Sequence, residues 1–233
     1  MTTSLSDVAG IVFDFDGTLY EYMEIYTKAL RQAQVSVLID ETEGRITPEE
    51  AEHLCATSYK TLRNGYDLPA QKLGLNPYRL HELFHARTTM EGMKPIPKLR
   101  RTLFAAQKQG IKSSIASHSH YNYVSRGMDF LGITHLIDHV VTLEQVNYRE
   151  KHKGPDMFKE AQRRLNVPSE KTLMVDDLPE NLLHAREIGM RTDFIHWGKP
   201  RDALPGHVEF QHDTPVTAIE QVLAARRPAP AMI

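Results

Sequence analysis

A chain of 233 residues is long enough for one generous domain, or for a core carrying a smaller insert. Its 28 Lys and Arg against 30 Asp and Glu leave a formal net charge of −2 without blocks of like charge, so neither a nucleic acid polymer nor a membrane surface is an expected partner. The single cysteine rules out an internal disulfide and suits a reducing, cytoplasmic setting. The opening residues carry neither the basic nor the apolar region of a secretory signal, and no apolar run approaches the length of a membrane span.

The first β-rich run is Gly10–Phe15, which leads into Asp16, Gly17, Thr18 and Leu19. Side chains two residues apart on an extended segment share a side. Asp14 and Asp16 are therefore expected to converge where the strand opens into a loop, at the edge where open α/β sheets bind ligands. Two close carboxylates repel, and one takes up a proton unless a cation compensates; Mg²⁺ is the hard, oxygen-seeking candidate. The plainer alternative is that the two acids cap a turn or the next helix.

From Tyr20 to Glu91 the pattern is helical. Thr47-Pro48-Glu49-Glu50 reads as a Thr cap, a Pro in the first turn and a Glu three residues after the cap. Asn64-Gly65 and Gly74-Leu75-Asn76-Pro77 end helical runs. Cys55 falls among apolar neighbours, a packing position. A structureless loop of this length does not suit a compact domain. Residues 20–91 are thus expected to form a helical insert, with residues 1–19 and 92–233 as the core.

Four more β-rich runs follow, at Ile111–Ala116, His139–Thr142, Thr172–Asp176 and Arg191–His196. They alternate with helical patterns over Pro97–Lys108, His120–Phe130, Pro155–Leu165, Pro179–Ile188 and Val216–Ala225, which predicts βαβ units and a parallel sheet. Ser117 closes the second run, where its hydroxyl and the neighbouring N–H groups meet the start of a helix, a place that favours an anion. A Ser there also serves as an ordinary helix cap. Lys151-His152-Lys153 precede Pro155, and Asp176 and Asp177 close the fourth run. The Pro- and Ala-rich tail from Arg226 to Ile233 is expected to fray.

Taken in order, Asp14-Phe15-Asp16-Gly17-Thr18-Leu19, Ser117, a lysine before Pro155, and Asp176-Asp177 resemble the four motifs of the haloacid dehalogenase superfamily, most of whose members are Mg²⁺-dependent phosphatases. Asn181, Ala185 and Gly189-Met190 follow the same family pattern, and the resemblance runs from Ala9 to Lys199. It implies a doubly wound, Rossmann-like parallel sheet with a helical cap of the C1 type inserted after the first strand and roofing the active site. It implies Asp14 as nucleophile and Asp16 as acid and then base, with the Asp16 main-chain carbonyl also a metal ligand. Ser117 would hold phosphoryl oxygens, Asp177 would ligate Mg²⁺ together with Asp14, and Asp176 would bind through water or orient a ligand. Asn181 is expected to brace that loop. Dehalogenases of the family generally lack an acid at the position of Asp16, so its presence favours phosphoryl transfer.

Two departures from the pattern stand out. His118 follows Ser117 where the family has Asn or another small residue, and phosphate contact and surface side chain are both open readings for it. Members commonly read Lys-Pro-x-Pro-x-x-Phe, and aligning Pro155 and Phe158 puts His152 on the lysine's position, with Lys151 one residue early and Lys153 one late. A local backbone adjustment brings either ammonium within reach of the phosphate, and of the two Lys153 is the expected phosphate-binding cation. The stretch from Ser58 to Gly65, with Leu73 to Pro77, Phe84-His85 and Tyr20, is similar to the pyrimidine nucleotidase subgroup. The resemblance implies a small phosphorylated metabolite as substrate, in that subgroup a pyrimidine nucleoside monophosphate, with Tyr20, Tyr59 and Arg63 as contacts. Tyrosines at helical spacing serve a core at least as readily. A monomer or homodimer is expected. A sugar phosphomutase on the same core and a non-catalytic phosphate-binding protein are the alternatives.

Overall fold

The computed structural model describes residues 5–21 and 24–226. Strands β1 (Gly10–Phe13), β2 (Lys112–Ser117), β3 (His139–Thr142), β4 (Thr172–Asp176), β5 (Arg191–Ile195) and β6 (Phe210–His212) form one sheet in the order β3-β2-β1-β4-β5-β6. Every pairing is parallel, as the alternation of strand and helix patterns predicts. β6 is three residues long, too short to show a pattern in the sequence, and lies at the edge beside β5. Chain order reverses between β1 and β4, which pair from Gly10 with Thr172 to Phe13 with Val175. Such a switch point, at the carboxyl edge, is where open α/β sheets bind their ligands.

The segment after β1 holds α1 (Glu24–Glu41), α2 (Pro48–Leu62), α3 (Asp67–Leu73) and α4 (Pro77–Arg87). Beyond it come α5 (Leu99–Lys108), α6 (Tyr121–Leu131), α7 (Asp156–Leu165), α8 (Leu182–Glu187) and α9 (Pro215–Ala225). Both β1 and β4 are buried along their whole length, which is why they read as continuous apolar runs instead of alternating ones. Val12, Ala116, Val141 and Met174 share one core with Met157, Phe158, Ala161 and Leu165, the apolar stripe of α7. Each large side chain buried in this way contributes about 1.5–3 kcal/mol. The tail expected to fray lies, beyond Arg226, outside the described residues.

The chain divides into two compact units, one of Met1–Glu21, Lys94–His118 and Leu131–Ile233, the other of Tyr22–Met93 and Ser119–Phe130. The first contains the sheet. The second is helical: α1 packs on α2 and α4, and α2 on α3, around Val37, Leu38, Ala51, Cys55, Tyr66, Leu80 and Phe84. Burial pushes the Cys55 thiol up to about 12, in keeping with a packing role. Thr47 and Glu50 form the reciprocal capping box that their spacing predicts. At the two expected breaks, Asn64 forms a turn ahead of α3, accepting from the Tyr66 and Asp67 N–H groups, and Asn76 caps α4, accepting from those of Tyr78 and Arg79. The segment from Ser119 to Phe130 belongs to this unit and not, as expected, to the core. Arg126 donates to the carbonyls of His85 and Thr88 at 2.6 and 3.2 Å, and Ser119 Oγ lies 3.1 Å from His85 Nε2.

Candidate active site

Asp14 stands one residue past β1, buried, with its N–H still bonded to the Val175 carbonyl at 2.8 Å. Asp176 is the last residue of β4 and fully buried. Because β1 and β4 are neighbours, these carboxylates meet across the sheet edge. Asp177 follows, partly buried, and one carboxylate oxygen from each of Asp14, Asp176 and Asp177 lies within 4.8 Å of the others. The backbone makes room for this: Gly17 has φ +84°, and a Cβ there would collide with the Asp177 carboxylate.

A cation enters the cluster from the loop beyond β3. The Lys151 side chain is wholly buried, and its ammonium donates to Asp176 Oδ2 at 2.8 Å and to Asp14 Oδ1. Lys153, the residue expected here, is about half exposed and pairs with Glu150 Oε2 at 3.0 Å. The sequence expectation is corrected on this point, and the reason is local. Residues Lys151–Lys153 form a single 3₁₀ turn. At three residues per turn, side chains two apart point to different sides, roughly 240° around. Asn147 and Tyr148, both left-handed with φ of 51° and 58°, turn the chain just before it.

The remaining expected residues fall in three places. The Asp16 carboxylate is not part of the three-acid cluster; its Oδ1 accepts from Tyr20 Oη and its Oδ2 lies 3.5 Å from Ser117 Oγ. Tyr20, expected to touch substrate, is instead fully buried, edge-on to Phe15, with its hydroxyl on Asp16. His118 Nε2 accepts the Lys151 N–H at 2.8 Å. Tyr59 on α2 is 67% exposed and Arg63 caps the end of that helix at φ 62°, both in the helical unit. Asn181 donates to both Asp176 oxygens, at 3.1 and 3.3 Å, and the Leu178 N–H to Asp176 Oδ1 at 2.9 Å. The indole N–H of Trp197 donates to the Gly17 carbonyl, a contact with no signal in the sequence.

The cluster holds more negative charge than one lysine offsets. Burial, with repulsion from Asp176 and Asp16, pushes Asp14 up to about 7 against the pull of Lys151. Burial, with repulsion from Asp176 and Asp14, pushes Asp177 up to about 9. Burial opposes the charge on Lys151, yet Asp14 and Asp176 together hold its pKa above the ordinary lysine value. Three hard oxygen donors close together, two of them with pKa values raised by burial and mutual repulsion, fit a divalent cation such as Mg²⁺.

A doubly wound parallel sheet with three acids and a buried lysine at its switch point defines an enzyme built around a charged ligand. The chain belongs to the haloacid dehalogenase-like hydrolases, whose family profile matches residues 11–195. It is 26% identical over 195 residues to the protein PpaX of Caldanaerobacter subterraneus subsp. tengcongensis, covering 82% of each chain. It is 25% identical over 228 residues to the glyceraldehyde 3-phosphate phosphatase of Methanopyrus kandleri, covering 92% of this chain and 97% of that one. The pyrophosphatase PpaX of Oceanobacillus iheyensis is 23% identical over 187 residues, 80% of this chain and 83% of that one. Among solved structures, an HAD phosphatase from Thermococcus onnurineus superposes with a TM-score of 0.68 at 21% identity, over 94% of this chain and 99% of that one.

Proposed function

We propose that this hydrolase is a Mg²⁺-dependent phosphomonoesterase acting on a small phosphorylated metabolite through an aspartyl-phosphate. The observation that carries the reading is the buried Lys151 ammonium shared by Asp14 and Asp176 beside Asp177, a fixed cation and three oxygen donors around one nucleophilic carboxylate. Relatives named as a glyceraldehyde 3-phosphate phosphatase and a pyrophosphatase support phosphate esters and anhydrides as the substrate class.

In this mechanism Asp14 attacks phosphorus in line, its carboxylate oxygen forming the new bond as the ester oxygen leaves. Asp16 gives the leaving alkoxide a proton and later takes one from the water that hydrolyses the acyl phosphate. Lys151 and the Ser117 hydroxyl neutralise and orient the phosphoryl oxygens. Mg²⁺, held by Asp14, Asp177 and Asp176, would supply further positive charge to those oxygens. Tyr20 holds Asp16 in place and drops out as a substrate contact, while Tyr59 and Arg63 stay candidates for substrate choice in the inserted unit.

The experiment is phosphate release from a panel of esters with Mg²⁺, wild type beside Asp14→Asn. The panel holds glyceraldehyde 3-phosphate, pyrophosphate, uridine and cytidine monophosphates, purine monophosphates, hexose phosphates and an aryl phosphate. Release that disappears in Asp14→Asn supports the phosphatase, and preference for uridine or cytidine monophosphate supports the nucleotidase subgroup. Isomerisation of a hexose phosphate without release would replace the reading by a mutase.

A further inference from the structure

The two departures from the family pattern, a histidine after Ser117 and a lysine displaced before Pro155, meet in one hydrogen bond. The Lys151 N–H donates to His118 Nε2 at 2.8 Å. That N–H is the first donor of the Lys151–Lys153 turn, and Glu150 at the cap position offers it no side-chain acceptor. First-turn N–H groups have no partner within their own helix, so a buried one must find an acceptor elsewhere. The turn itself is only three residues long, entered through the left-handed Asn147 and Tyr148. Such a turn has little of its own to keep its register.

We propose that His118 is a positioning residue, an imidazole acceptor that fixes the Lys151 backbone and thereby holds the ammonium between Asp14 and Asp176. The inference rests on the phosphoryl-transfer reading for what the ammonium does, and on the structure alone for what holds it. To accept from Lys151, Nε2 must carry its lone pair, which places the ring hydrogen on Nδ1. With a hydrogen on Nε2, two N–H groups would face one another. Nε2 therefore does not donate to a phosphoryl oxygen, and the role assigned to this nitrogen runs through the Lys151 backbone. His118 also directly follows Ser117, whose hydroxyl lies near Asp16. One hydrogen bond thus joins the two loops that deliver the hydroxyl and the cation. A small residue at position 118 would leave the Lys151 N–H without this acceptor, so the histidine and the altered lysine spacing belong together as one device.

Steady-state kinetics and amide hydrogen exchange by mass spectrometry on His118→Leu and His118→Gln, each also in a Lys151→Ala background, test the proposal. In His118→Leu the peptide containing Lys151 exchanges faster and kcat falls about 10- to 100-fold, with KM changing by less than about threefold. In His118→Gln, where the amide oxygen can reach the place of Nε2, protection and most of kcat return. Once Lys151 is already alanine, His118→Leu costs nothing further. The proposal is overturned if exchange at Lys151 is unchanged in His118→Leu, or if the loss persists undiminished without Lys151. It is equally overturned if KM and inhibition by inorganic phosphate change while kcat does not, which would mark a phosphate contact. Should His118→Leu fail to fold, His118→Gln decides: retained protection and rate support the proposal, and loss of both in a folded protein refutes it. Should no ester be hydrolysed at all, the phosphatase reading fails, while the exchange data still decide whether His118 holds Lys151.

Discussion

The Lys151 ammonium lies 2.8 Å from Asp176 Oδ2 and also donates to Asp14, so one buried cation is shared by the ends of two adjacent strands. Removing it leaves two buried carboxylates without this partner and, in the proposed mechanism, the phosphoryl oxygens without a fixed charge. Lys151→Ala is expected to lower kcat by about 10²- to 10³-fold, the scale of a lost electrostatic donor. Lys153→Ala removes only a half-exposed ion pair and should stay within about twofold of wild type. Steady-state kinetics on the two variants rank them, and the reverse order would remove Lys151 from the site.

The acidic cluster makes the metal-free protein pH-sensitive in a definite direction. Asp14 at about 7 and Asp177 at about 9 stand above their ordinary value of 3.8, so the folded state binds protons that the unfolded state has released. Where the folded state holds more protons, stability falls as pH rises. The window runs from about pH 4 to about pH 9, opposite to the usual behaviour of a carboxylate stabilised by its partner. Asp177→Asn, which needs no proton on folding, is expected to raise the Tm of chelator-treated protein at pH 8, by about 2–4 °C for each kcal/mol of protonation cost removed. Calorimetry of both proteins at pH 5 and pH 8 checks this, and a variant Tm below that of wild type at pH 8 would contradict it.

The same protons compete with a cation. Mg²⁺ affinity should rise steeply between about pH 6 and about pH 9, across the range in which Asp14 and then Asp177 release them, and calorimetric titration in buffers of different ionisation heat should show proton release on binding. Activity is expected to vanish with a chelator and return with added Mg²⁺. Full turnover in chelator would remove the metal from the mechanism.

Tyr20→Phe keeps the buried ring and deletes only the hydroxyl that donates to Asp16. Freed from that bond, Asp16 samples orientations that do not reach the leaving oxygen. A fall in kcat of about tenfold with KM nearly unchanged is expected, since the interaction touches acid catalysis and not substrate binding. A rise in KM at constant kcat would return Tyr20 to the substrate.

How far the site could be read in advance depended on how local each signal is. Asp14 and Asp176 each end an apolar run, and their meeting follows from two parallel strands lying side by side. The cap of α2 was equally legible, because Thr47 and Glu50 are three residues apart and need no tertiary partner. Lys151 was not, since its direction depends on the left-handed Asn147 and Tyr148, which no spacing rule announces. Tyr20 reads as a substrate contact through the subgroup resemblance, whereas its hydroxyl's partner, four residues back, is decided by how the loop closes. β6 was missed for the opposite reason: three half-buried residues show no period, and only the neighbouring β5 makes them a strand.

Trp197 sits 180 residues from Gly17 in the chain, yet its indole N–H grips the carbonyl of the loop against which Asp177 rests. It is also the protein's single tryptophan. Every photon emitted on excitation at the red edge of the absorption band therefore comes from one fluorophore tethered to the Gly17 loop. Ligand arrival can thus be followed optically, without labels and without turnover, in variants too slow to assay.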